Sequence, residues 1–156
     1  MSVTAPCGFV ASGVRAGIRR SGLDLAVVRS TSPAVGAAVW TTNRVLAAPI
    51  LVSKRHLATA DPQAVVVNAG VANAATGPAG VADAEQTAAA AAAALELEEE
   101  QVLVLSTGVI GVPLPLDRVL AGVRGIVPSF HSHTRATPER FTWNLGTAAN
   151  QQGCDP

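Results

Sequence analysis

The tripeptide Ser106-Thr107-Gly108 is where residue type and setting come closest to chemistry in this 156-residue sequence. It follows the aliphatic run Val102 to Leu105 and precedes Val109-Ile110-Gly111. A buried strand ending this way presents a hydroxyl and backbone N–H groups at a sheet edge, where an acyl oxygen can accept from them. One such donor is worth about 3 kcal/mol in a transition state. The same residues also make a plain glycine turn between strand and helix, and without further context they read as that turn. The second stretch of interest is NAGVANAATGPAG, Asn68 to Gly80. It matches neither G-x-G-x-x-G nor G-x-x-x-x-G-K-[ST], which argues against a phosphate cradle. Asn68 and Asn73 are the donors it offers as a wall of a neighbouring site. It serves equally well as a structural loop that needs left-handed residues.

The remaining reactive side chains point away from catalysis. His56, His131 and His133 have no carboxylate or cysteine at ligand spacing, so no metal site is expected. Cys7 and Cys154 sit at opposite ends without a C-x-x-C pattern. They neither form a metal motif nor prove a disulfide, and a reduced cytoplasmic protein is the simplest reading. Arg15, Arg19 and Arg20, with Lys54 and Arg55, are short basic clusters of the kind found on solvated faces. Eleven basic and eleven acidic residues cancel, leaving no charge excess to draw the chain to nucleic acid or anionic lipid. The N-terminus lacks the apolar core of a signal peptide. No apolar run reaches the length of a membrane span.

Positioning these residues requires a layered scaffold. Hydrophobic residues make up 49% of the chain and charged residues 14%, a composition that folds into one domain. Asp24 to Arg29, Ala37 to Thr42 and Pro49 to Ser53 read as strands, and the wholly apolar Ala64 to Val67 as a central one. A helix is expected from an N-cap at Asp83, with Gln86 three residues on, through Ala88 to Leu95, and stopping near Leu97. Four glutamates there, Glu96, Glu98, Glu99 and Glu100, oppose the helix dipole. Val102 to Leu105 is a further buried strand. Beyond Pro113 and Pro115, the residues Leu116, Val119, Leu120 and Val123 mark an amphipathic helix. The sum is an α/β or α+β layered domain. Composition shifts at Ser129, after which two of the three histidines and three of the five aromatics appear without apolar periodicity. The expected division is a domain over 1–128 and a non-matching, disordered tail over 129–156.

Four segments, in order, resemble the N-terminal half of the ornithine acetyltransferase family, also called glutamate N-acetyltransferases, of arginine biosynthesis. They are GFVASGVRAGIRRSG (Gly8 to Gly22), VWTTNRVLAAPI (Val39 to Ile50), VVVNAGVANAATG (Val65 to Gly77) and LSTGVIGVPLP (Leu105 to Pro115). The loop departs from the family pattern, with Ala69, Val71 and Ala75 at positions usually held by Ser, Asn and Cys; Trp40 stands where Phe is usual.

The resemblance implies an αβ-layered, self-cleaving, N-terminal-Thr acyltransferase fold. It implies a precursor cut at an Ala-Thr bond, the new threonine attacking with its own amine as base. Acetyl would pass from N-acetylornithine to that threonine and then to glutamate, with acetyl-CoA as a donor for some members and no bound cofactor. Thr107 and Gly108 match the pair that forms the family's oxyanion hole. The partners implied are a β chain from the same precursor and an α2β2 assembly. Ala-Thr occurs at 58–59 and 75–76, inside the N-terminal half, and at 136–137, which is followed by Pro138 and lacks the Gly/Met/Pro-rich surroundings of the family's cut; the Thr-Thr-Asp and Lys-Gly segments before the cut are also missing. The chain therefore reads as an α-chain portion without its nucleophile. The competing readings are an inactive or vestigial binding module and a related N-terminal-nucleophile aminopeptidase.

Overall fold

A computed structural model describes residues 3, 4 and 6–130. Four strands and three helices follow one another as β1 (Phe9–Val14), β2 (Leu25–Ser30), α1 (Ala48–Thr59), β3 (Ala64–Val71), α2 (Gly77–Leu95), β4 (Val102–Val109) and α3 (Leu116–Phe130). A single 3-10 turn, Glu99–Gln101, leads into β4. The sheet order is β1-β2-β3-β4. The first two pairings are antiparallel, and β3 with β4 is parallel. Parallel strands need a long crossover, and α2 supplies it. Of the tail expected over 129–156, the first two residues complete α3 and the rest lies outside the described residues.

The alanine run Ala88–Leu95 lets α2 approach the sheet closely; Ala84, Ala88, Ala91, Ala92 and Leu95 are all buried. The helix starts earlier than its Asp83 signal, at Gly77 behind Pro78, so Asp83 lies inside it. It ends at Leu95, with Glu96 in the left-handed conformation (φ 57°). Glu98 then caps the 3-10 turn in a reciprocal exchange with Gln101. Relocating negative charge to the start of a new turn relieves the conflict with the α2 dipole.

Three expectations change. Pro49 to Ser53 is not a strand but the first half of α1. Ala48, Pro49, Val52, Ser53 and His56 are its buried residues, a helical spacing that a five-residue aliphatic window hides. Ala37 to Thr42 forms no strand. The Asn68–Gly80 stretch is not one loop: its first four residues complete β3 and its last four begin α2. Strand β1 was not anticipated, because FVASGV offers little branched or alternating apolar content.

Alternation along the strands gives the sheet two unlike faces. Leu25, Val27, Val66, Val102 and Val104 join Val52, Ala88, Val119, Val123 and Ile126 in the core beneath the helices. Ala26, Val28, Val65, Val67, Leu103, Leu105 and Thr107 lie on the other face by the same alternation and register. Among the described residues, no helix packs against that second face.

Candidate active site

The parallel pairing sets Asn68 beside Ser106, Ala69 beside Thr107, Gly70 beside Gly108 and Val71 beside Val109. The two sequence stretches singled out for chemistry therefore meet at the carboxyl ends of β3 and β4. In α/β sheets this is the end where ligands bind. Both glycines are obligatory. Gly108 (φ 135°) abuts the Gly70 carbonyl so closely that a Cβ there would overlap its backbone. Gly70 (φ 121°) has the Ile18 and Arg19 side chains against its own open side.

Helix α1 determines how much of the β4 edge stays open. Ser53 Oγ donates to Val104 O (2.8 Å) and accepts from Val104 N–H (2.9 Å). His56 Nδ1 sits 2.8 Å from Val102 O, which fixes Nδ1 as the protonated nitrogen. Thus Val102 and Val104 turn their backbone groups outward, and two buried side chains of α1 satisfy them. Val109 O, in contrast, accepts from Ala72 N–H across the sheet (2.9 Å). The strand period of two then directs the N–H and C=O of Ser106 and Gly108 outward, beyond the reach of α1. Thr107 is solvent-exposed on the face away from the helices. The end of β4 thus carries an accessible hydroxyl beside an accessible backbone N–H.

Asn68 and Asn73 are placed differently. Asn68 is buried on the helix side, and its Nδ2 donates to Val71 O (2.9 Å). Its side chain and that of Thr107 project from opposite faces. Asn73 is fully buried; its Nδ2 donates to Gly80 O (2.8 Å), and its Oδ1 accepts from Thr76 Oγ (2.7 Å). Its carbonyl also takes the Ala48 N–H (3.2 Å) and so joins α1 to α2. The two amides hold the β3–α2 connection in shape.

Asp24 is the residue that sequence reasoning passed over. It is 1% exposed, and its carboxylate accepts Ala16 N–H (2.6 Å) and Arg19 N–H (2.8 Å). Burial pushes this carboxyl upward, but the N–H groups of Arg19, Ala16, Ile18 and Gly17 together outweigh it and hold it below the usual aspartate value. The anchored loop presses Ile18 and Arg19 onto Gly70, and so backs the glycine pair. A glycine-containing loop closing eight residues before an aspartate was the only sequence signal, and it is a weak one.

The match to known proteins covers most of the chain. The ArgJ family matches residues 10–149, past the 1–128 limit drawn from composition. The arginine biosynthesis bifunctional protein ArgJ of Caldanaerobacter subterraneus subsp. tengcongensis is 53% identical over 160 residues, covering 98% of this chain and 40% of its own. The Mycobacterium leprae protein of the same name is 54% identical over 132 residues, with 80% and 32% covered. Among solved structures, ornithine acetyltransferase of Mycobacterium tuberculosis, complexed with ornithine, superposes with a TM-score of 0.77 at 50% identity, covering 81% of this chain and 69% of that one. ArgJ of Bacillus halodurans gives 0.78 at 39% identity, with 85% and 72% covered. The chain spans about two fifths or less of the length of the curated relatives it matches. On the family match and these identities together, the chain belongs to the ArgJ family.

Proposed function

We propose that this chain supplies the oxyanion-binding half of an acetyl-transfer site, with Thr107 Oγ and Gly108 N–H as donors. The observation that carries the reading is the exposed end of β4: an accessible hydroxyl and an outward N–H, on a backbone held by Gly70. Preorganised donors of this kind act where charge develops on the acyl oxygen, in a geometry fixed before the substrate arrives. Asp24 and the loop it anchors position the pair. The substrates are N-acetylornithine and glutamate, with acetyl-CoA as a possible alternative donor and no bound cofactor.

The nucleophile belongs to a β chain, which with this portion builds an α2β2 assembly in the cytoplasm. Alone, this portion has donors but nothing to attack the acyl carbon. A protein completed with the remaining length of the Caldanaerobacter relative tests the assignment. Thr107→Ala there is expected to lower kcat about 100-fold and leave KM nearly unchanged, because the bond strengthens only as charge develops. An unchanged kcat returns Thr107 to the role of a turn residue.

A further inference from the structure

The loop between β1 and β2 meets charge on both of its sides. Its N–H groups turn inward: those of Ala16, Gly17, Ile18 and Arg19 converge on the buried Asp24 carboxylate. Two of its carbonyls turn to guanidinium groups. Arg15 Nη2 donates to Arg20 O (2.7 Å), and Arg118 Nη1 donates to Gly17 O (2.6 Å). The Gly17–Ile18 peptide is therefore held at both ends of its dipole, its N–H by a carboxylate and its C=O by a guanidinium. Hydrogen bonds to ionised groups are about twice as strong as neutral ones, and this peptide has one at each end.

Arg118 is an unexpected residue for its place. It lies in the first turn of α3, where a cation opposes the helix dipole. One turn further on, Gly122 brings the same side of α3 down onto Ala16 and Leu25; a Cβ there would overlap both side chains. Helix α3 thus grips the loop at two points. The grip is felt at the strand end, because Ile18 and Arg19 lie against Gly70, and Gly70 is the neighbour that shapes Gly108. The Arg118 side chain is exposed and, among the described residues, pairs with no carboxylate. An exposed contact of this kind adds little to stability, whereas a small displacement of a donor costs rate directly.

We infer that Arg118 is a positioning residue of the acyl-transfer site. It acts through the Gly17–Ile18 peptide, holding the loop against Gly70 and so keeping the Gly108 N–H and the Thr107 hydroxyl in place. This rests on the reading of those two groups as the acyl-oxygen donors.

The experiment uses the protein completed with the remaining length of the Caldanaerobacter relative, assayed for acetyl transfer from N-acetylornithine to glutamate. Arg118→Met keeps the stem and removes the guanidinium. It is expected to lower kcat about tenfold, with KM and the urea midpoint close to wild type. Arg118→Gln, which still offers the carbonyl a neutral donor, should fall between the two. The deciding readout is coupling. With Thr107→Ala already in place, Arg118→Met should lower kcat by less than about threefold further, because one of the donors it positions is gone. Tenfold losses in both backgrounds, or an unchanged kcat in Arg118→Met, overturn the inference and leave the role of Thr107 standing. Loss of the fold in both Arg118 variants makes it a stabilising residue and overturns the inference too. Full kcat in Thr107→Ala alone, or no transfer by the completed protein, counts against both readings.

Discussion

Gly108 shows how tightly a single residue can be determined by its neighbours. Its positive φ and its contact with the Gly70 carbonyl both exclude a side chain. Gly108→Ala is therefore expected to destabilise the domain by about 3 kcal/mol or more, read from the urea midpoint. Asp24 carries a different kind of constraint. Because its folded pKa lies below the unfolded one, its contribution is present in full above about pH 4. That contribution is lost as the pH falls through the folded value. Asp24→Asn puts an amide N–H where backbone donors converge, at a cost of about 3 kcal/mol at pH 7. Urea melts between pH 7 and pH 3 should show the wild-type advantage shrinking on the acid side. A constant gap across that range would remove the carboxylate from the account.

At the scale of the elements, α1 protects the β4 edge. Ser53→Ala leaves both Val104 backbone groups unpaired in a buried setting, for an expected loss of about 2–4 kcal/mol; Ser53→Thr should recover part of it. Equal melts for wild type and Ser53→Ala would mean that water replaces the hydroxyl. This helix was also the element least legible in the sequence. Pro49 to Ser53 is as aliphatic as a strand, and only the addition of Ala48 and His56 reveals a 3.6-residue period. Strands β2, β3 and β4 and helix α3 were legible because long apolar runs or clear periodicity name both type and face. Ala37 to Thr42 has strand chemistry but no partner among the described residues, so propensity alone misplaces it. At the site, Thr107 and Gly108 could be found through the family pattern. The burial of Asn68 and Asn73 could not, because a loop asparagine looks the same whether it faces a ligand or its own backbone. Asp24 was hidden for the same reason: its work is done on N–H groups that have no residue identity.

The described residues form a sheet covered by helices on one side and carrying Thr107 on the other. A sheet apolar on both faces needs a second layer. Val28, Val65, Leu103 and Leu105 are the residues that layer would bury, and Thr107 sits at its rim, where two layers would enclose a reacting carbonyl. Among the described residues, no helix is long and apolar enough to cross a membrane. Purified alone, the chain is expected to give no steady acetyl transfer from N-acetylornithine to glutamate, since it offers donors without an activated nucleophile. Sustained turnover in a radiolabel assay, with an acetyl adduct on one of its own threonines, would refute that. The most direct measurement concerns the chemical step itself. Rapid-quench acylation by the completed protein should be slowed about 100-fold by Thr107→Ala and largely restored by Thr107→Ser, at saturating N-acetylornithine. Equal acylation rates for the wild-type protein and for the Thr107→Ala and Thr107→Ser variants would contradict the assignment of this strand end as the oxyanion site.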